Sequence, residues 1–175
     1  MKQLAYISSK VLFYFFSTLT LFIMVFSVLS YFEYKFDVQI PFVEIIENRP
    51  KINVPLLGLR INVPLNYSII IMWSAMLYYA IYFHAFKEFL KVFIERKMFE
   101  EKSLKRLRFF LILNCIPLIY IVIFSIQFLK KEASFRLHDD YFIVFAHLVI
   151  AFLIYLYLDV LKKGKLVQEE NDLMI

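Results

Sequence analysis

The sequence predicts an all-α membrane protein: an antiparallel four-helix transmembrane bundle with a small extracytoplasmic loop, suited to a β-hairpin, between helices 1 and 2. Three observations predict it. Residues 11–32, 67–86, 109–129 and 141–158 form apolar stretches without a single Asp, Glu, Lys or Arg, each near the ~20 residues a helix needs to cross a bilayer. The chain is 62% hydrophobic and 19% aromatic, against about 45–50% apolar for a soluble domain, and a soluble core of this size would leave large aromatic patches in water. Finally, residues 87–108, KEFLKVFIERKMFEEKSLKRLR, carry eight of the 20 Lys and Arg residues between two of the apolar stretches.

The first stretch follows Lys2 and Lys10. As a helix it would be roughly 33 Å long, enough for a ~30 Å hydrocarbon core. A signal peptide would have an apolar region of about 7–15 residues ending at a small-x-small site. SVLSYFEYKF offers no such site, so a retained helix is expected. Residues 33–64 mix polar and apolar side chains and contain INVPL twice, at residues 52–56 and 61–65. β-Branched residues on each side of Gly58 suggest a hairpin. Pro55 and Pro64 donate no ladder hydrogen bond, so both strands should be short edge strands. Two extended segments lying over the membrane surface are the competing reading.

No Gly or Pro separates the second stretch from the basic connector, so its helix should continue into the polar segment. Phe86, Phe89, Leu90, Phe93 and Ile94 would then form one stripe, with Lys91 and Glu95 paired at i, i+4 on another face. The chain must reverse near residues 97–100. The third stretch contains Asn114, Cys115 and Pro117; the proline should bend the helix and release a carbonyl for a neighbour. With one cysteine, no intrachain disulfide forms. The fourth stretch leads into a polar tail, residues 159–175. Gly164 is expected to end that helix as a C-cap, with Lys162 and Lys163 beside its carboxyl end.

Four spans put both termini and the 87–108 connector on one side. That side holds 13 bases and eight acids; the other holds seven of each. The Lys/Arg bias therefore puts the connector and both termini in the cytoplasm of a cell (plasma or inner) membrane protein. Anionic headgroups are natural partners of such a connector, at about 1 kcal/mol per base close to the surface. Direct nucleic-acid binding is not expected, because acids are interleaved throughout and no binding motif is present.

Polar residues inside the spans are the first candidates for a site. An antiparallel arrangement places Ser74, Ser125, Gln127 and His147 near the outer face, and His84 and Asn114 near the inner face. Their ordinary role is interhelical packing. A proton or substrate relay would call for an intramembrane carboxylate or base pair, and none is present. His84, His138 and His147 lack metal-ligand spacing. His138 with Asp139 and Asp140 offers metal-ligating side chains, but a solvated loop is the plainer reading. No Gly-rich phosphate loop or nucleophile elbow occurs, and Cys115 in lipid would keep its proton. No catalytic residue, metal or cofactor is expected. The tail LKKGKLVQEENDLMI is the most informative polar stretch: its acids Glu169, Glu170 and Asp172 can pair with Arg96, Lys97, Lys105 or Arg106 of the connector, or with a basic partner.

Two of these segments also resemble those of a known family. KMFEEKSLKRLR is similar to the cytoplasmic signature of a bacterial membrane family, domain of unknown function 2975, through Phe99, Glu101, Leu104, Arg106, Leu107 and Arg108. GKLVQEENDLMI is similar to that family's closing motif through Gly164, Leu166, Gln168, Glu170, Asn171, Asp172 and Leu173. The departures are Met174 and Ile175, where the family pattern has Thr and Val, and the lack of a small residue or Pro before Phe99. Length and four spans extend the likeness over nearly the whole chain. The resemblance implies a small integral membrane protein, often encoded beside a short helix-turn-helix regulator.

The expected function is that of a non-enzymatic regulatory or sensory membrane protein. Its connector and tail would hold a small cytosolic protein, with Phe99, Leu104, Arg106, Leu107, Arg108, Gly164, Gln168, Glu170, Asn171 and Asp172 as contact residues. A structural subunit of a larger membrane or transport complex is the alternative. Self-association into a homo-oligomer fits either.

Overall fold

A computed structural model describes residues 2–46, 49–54, 57–95, 100–129 and 140–173; the side chains of 120–129, 140, 141, 172 and 173 are not described. The chain is mostly helical: α1 (Lys2–Phe36), β1 (Val43–Ile46), β2 (Arg49–Val54), β3 (Leu59–Asn62), α2 (Ser68–Val92), α3 (Glu101–Leu129) and α4 (Asp140–Leu173). Among the described residues, three helices are long and apolar enough to cross a membrane, spanning Lys2–Phe36, Ser68–Val92 and Phe142–Asn171. This is the signature of a membrane protein. The chain forms two compact units, residues 7–84 and residues 85–175 with 1–6.

In the first unit, α1 ends where Asp37 adopts a left-handed φ of 54° and its N–H donates to the Glu33 carbonyl at 2.9 Å, an αL cap. Asn66 caps the start of α2, its Oδ1 accepting from the Ser68 N–H at 2.9 Å. The two helices meet through small polar side chains. Thr20, Ser27 and Ser30 are buried on the same side of α1 as Ile23, where small residues let helices approach closely. Trp73 Nε1 donates to Ser27 Oγ at 2.8 Å, and Thr20 Oγ1 donates to the Met76 carbonyl at 3.3 Å. The hydroxyls of Ser27 and Ser30 donate to carbonyls within α1. Phe16 stacks on Phe83 at 4.2 Å. Ser74, by contrast, is exposed and bonds the Ile70 carbonyl of its own helix.

The expected hairpin is present as β2–β3, with Val54 opposite Leu59 and the Leu57 N–H bonded to the Val54 carbonyl at 3.1 Å. Gly58 has a φ of 60° and open space around it. Its backbone conformation, not crowding, calls for glycine there. One expectation needs correction. The sheet has three strands in the order β1-β2-β3, so β2 is central rather than an edge. Pro50 sits second in that central strand, opposite Ile45, near an end where a missing donor disturbs little of the ladder. The prolines limit strand length: β2 ends at Val54 and β3 two residues before Pro64.

The strands also pack against the helices. Val43, Ile52 and Ile61 form an inward cross-strand row, and Ile52 and Val63 form one core with Ile23, joined by Leu19, Phe22, Phe26, Met72 and Met76. Phe42, held at a φ of 67°, sets its ring against Phe22 and Phe26; such a conformation is costly for a bulky residue and persists because its surroundings hold it. The sheet therefore covers one side of the α1–α2 pair. The other side of the sheet carries Arg49 and Arg60, both exposed.

In the second unit, α3 and α4 run antiparallel, their core formed by Leu104, Leu107, Phe110, Leu113, Ala151, Ile154, Leu158 and Leu161. The end of α2 adds Phe86 and Phe89 against the Phe110 ring, and Phe93 stacks on Tyr157 at 5.1 Å. The helix of α3 continues through Pro117. The expected separation of Asn114 and His147 to opposite faces is wrong. His147 Nδ1 lies 2.9 Å from Asn114 Oδ1, both residues buried. Asn114 Nδ2 donates to the Phe110 carbonyl at 2.8 Å, which leaves Oδ1 to accept the histidine proton. The antiparallel register that sets Glu101 near Lys165 also sets Asn114 beside His147, and the ends of the apolar stretches do not reveal that register. Asn114→Leu removes this bond and should cost about 0.6–2 kcal/mol, read as a lowered unfolding temperature in detergent; an unchanged temperature would rule out the bond's role.

Candidate docking site on the connector and the carboxy-terminal helix

α2 leaves helical geometry just after Val92, with the Ile94 and Glu95 N–H groups both bonded to the Lys91 carbonyl. Lys91 and Glu95 form the expected ion pair at 3.6 Å. The reversal expected near residues 97–100 lies mostly outside the described residues, as does Phe99. On the far side of the reversal, the N–H groups of Ser103 and Leu104 bond the Glu100 carbonyl and open α3, with Glu101 in its first turn where a negative charge is favourable.

Arg106 ties these two segments together. Its Nε is 3.2 Å from Glu88 Oε2 and its Nη1 is 2.8 Å from Glu95 Oε2, with the side chain only 14% exposed. Partial desolvation pushes the Glu95 carboxyl up, but the hydrogen bond and charge of Arg106, with Lys91, outweigh it and hold the group below its ordinary value of 4.5. Leu104 and Leu107 are buried in the core. Three of the five connector residues expected to touch a partner thus serve the chain itself, while Arg108 is exposed.

The tail departs from expectation more sharply. Gly164 does not end α4; the helix continues to Leu173. Intrahelical pairs support the extension, Asp159–Lys163 at 2.8 Å and Lys165–Glu169 at 3.5 Å, and Lys165 lies 3.9 Å from Glu101 of α3. The hydrogen bond to Asp159 raises the Lys163 ammonium. Among the described residues, the cross-helix pair joins a tail base to a connector acid, and Arg106 is engaged by Glu88 and Glu95; Arg96, Lys97 and the side chain of Asp172 lie outside those described.

At about 100° per residue, Ala151, Ile154, Leu158, Leu161 and Lys165 follow one side of α4, against α3. Val160, Leu166, Val167, Glu170 and Asn171 occupy the opposite arc, and Leu166 and Val167 are 58% and 56% exposed. Gln168 and Glu169 are also exposed. Asp172 belongs to α4, with its side chain outside those described. A continuous helix therefore presents acids, amides and apolar side chains together on one exposed surface. Among the described residues, no three His, Cys, Asp or Glu side chains cluster as a metal site; His138 and Asp139 lie outside those residues. Sequence reasoning missed the Thr20, Ser27 and Ser30 row, although its spacing of seven and three is a readable helix-interface signal.

No family model matches the chain, and neither a curated protein nor a solved structure shows detectable similarity to it.

Proposed function

We propose that this chain is a non-enzymatic regulatory membrane protein that holds a small cytosolic protein on the outward arc of α4. In this reading four antiparallel helices cross the cell membrane, with both termini and the basic connector in the cytoplasm, as in the family that the two motifs resemble. The supporting observation is the extension of α4. Its 34 residues measure about 51 Å against a ~30 Å hydrocarbon core, so a rigid helical segment projects past the bilayer. The connector then acts chiefly as the brace for that segment, through Arg106 and the Glu101–Lys165 pair.

The experiment compares affinity purification of the full chain from native membranes with that of a chain lacking residues 168–175. A soluble protein should accompany the full chain and be lost from the shortened one. No soluble companion, or one retained equally by both, would overturn the proposal. Recovery of membrane proteins alone would favour a subunit of a larger membrane complex.

A further inference from the structure

The two sides of α3 differ in chemistry as well as exposure. Leu104, Leu107, Phe110 and Asn114 lie on its buried side. Lys102, Lys105 and Arg108, followed by Phe109, Ile112 and Ile116, share the opposite arc of about 120° at 100° per residue, and all six are exposed. The bases come first and the apolar side chains follow, in the direction that leads from the connector into the apolar stretch. Glu101, on the same arc, is met by Lys165 at 3.9 Å. The connector acids Glu88 and Glu95 are taken by Arg106. Among the described residues, none of the three exposed bases has an ion-pair partner.

We propose that this stripe is a binding site for an anionic phospholipid, with the headgroup phosphate on Lys102, Lys105 and Arg108 and an acyl chain along Phe109, Ile112 and Ile116. It rests on the reading that α3 crosses the bilayer with the connector in the cytoplasm. Lys102 to Arg108 covers about 9 Å of helix axis, comparable with the headgroup layer on one side of a bilayer. Arginine presents a fork that matches phosphate oxygens, while the two lysines act as mobile point charges. A zwitterionic lipid offers the same phosphate, but its own cation competes with these bases. The preference is therefore for net negative charge.

The test uses the full chain in nanodiscs of phosphatidylcholine and phosphatidylglycerol, with Ile112→Trp in a Trp73→Phe background as the reporter. Brominated phosphatidylglycerol should quench this tryptophan several-fold more effectively than brominated phosphatidylcholine. Changing Lys102, Lys105 and Arg108 to Gln should bring the ratio close to one, each base contributing up to about fivefold. A ratio near one in the parent overturns the proposal. Because Trp73→Phe removes the bond to Ser27, native mass spectrometry of the Trp73-containing chain provides a second reading: retained phosphatidylglycerol should fall in the triple Gln variant, and equal retention overturns the site. Inorganic phosphate at constant ionic strength should leave the ratio unchanged; abolition by phosphate would mean a bare anion site and no lipid site. The topology is read separately, by labelling Lys105→Cys in a Cys115→Ser background with an impermeant maleimide. Labelling from outside the cell sinks the topology beneath the proposal. Labelling only from inside, with a lipid ratio of one, sinks the lipid site alone.

Discussion

Arg106→Ala should lower the unfolding free energy by about 2–3 kcal/mol, between the at most ~1 kcal/mol of an exposed pair and the 3–5 kcal/mol of a broken buried one. The side chain is 14% exposed and holds two carboxylates, one on α2 and one just past its end. Removal leaves Glu88 and Glu95 close together without their shared cation. Arg106→Lys should recover part of the loss, since an ammonium keeps the charge but not the fork. The pH response has a definite sign. Glu95 titrates below its ordinary 4.5 in the folded chain, so its contribution is complete above that value and is lost as pH falls through the lowered one. Thermal unfolding in detergent from neutral to acidic pH should show the parent losing more stability than Arg106→Ala at the acid end. Parallel curves would mean that the clamp contributes nothing.

Much of this architecture was legible because hydrophobic period and length are strong signals over long stretches. The four helices contain the four apolar stretches apart from Tyr67, just before α2, and the uninterrupted run after His84 carried α2 into the connector as far as Val92. The Gly58 turn was legible for the same kind of reason: a glycine between two β-branched runs has few other uses. The third strand was not. Val43–Ile46 is four residues long, too short for alternation to distinguish it from loop. That the sheet folds onto Ile23 is a tertiary choice, since a strand's alternating pattern says which side is buried but not what buries it.

The connector and the tail were legible as polar segments flanking apolar helices, whereas the burial of Leu104 and Leu107 was not. Leu104, Arg106 and Leu107 were singled out by the resemblance of their segment to a family motif, but exposure depends on which helices pack there. Glycine at position 164 signals a helix end on intrinsic preference, at about 1 kcal/mol against alanine. Here the Asp159–Lys163 and Lys165–Glu169 pairs and the contact with Glu101 accompany its continuation as helix. The same preference suggests where binding would act, because a continuous helix that carries a glycine and is supported on one side gains stability from a second supporting surface.

Changing Leu166 and Val167 together to Asp should reduce recovery of the cytosolic companion at least tenfold while leaving the membrane-embedded chain folded. Both side chains are more than half exposed, so the substitution removes little internal packing, and surface changes of this kind typically cost within about 0.5 kcal/mol of stability. At an interface, by contrast, each new Asp would place a carboxylate where an apolar side chain was covered, which costs several kcal/mol unless the charge is paired. The double variant and the parent should therefore share one unfolding temperature and differ in co-purification. Glu170→Gln and Asn171→Ala, on the same arc, should give smaller losses. If the Leu166 and Val167 variant retains its companion in full, the outward arc of α4 is not the docking surface. If it instead unfolds with Arg106→Ala-like losses, those two side chains serve the chain's own packing.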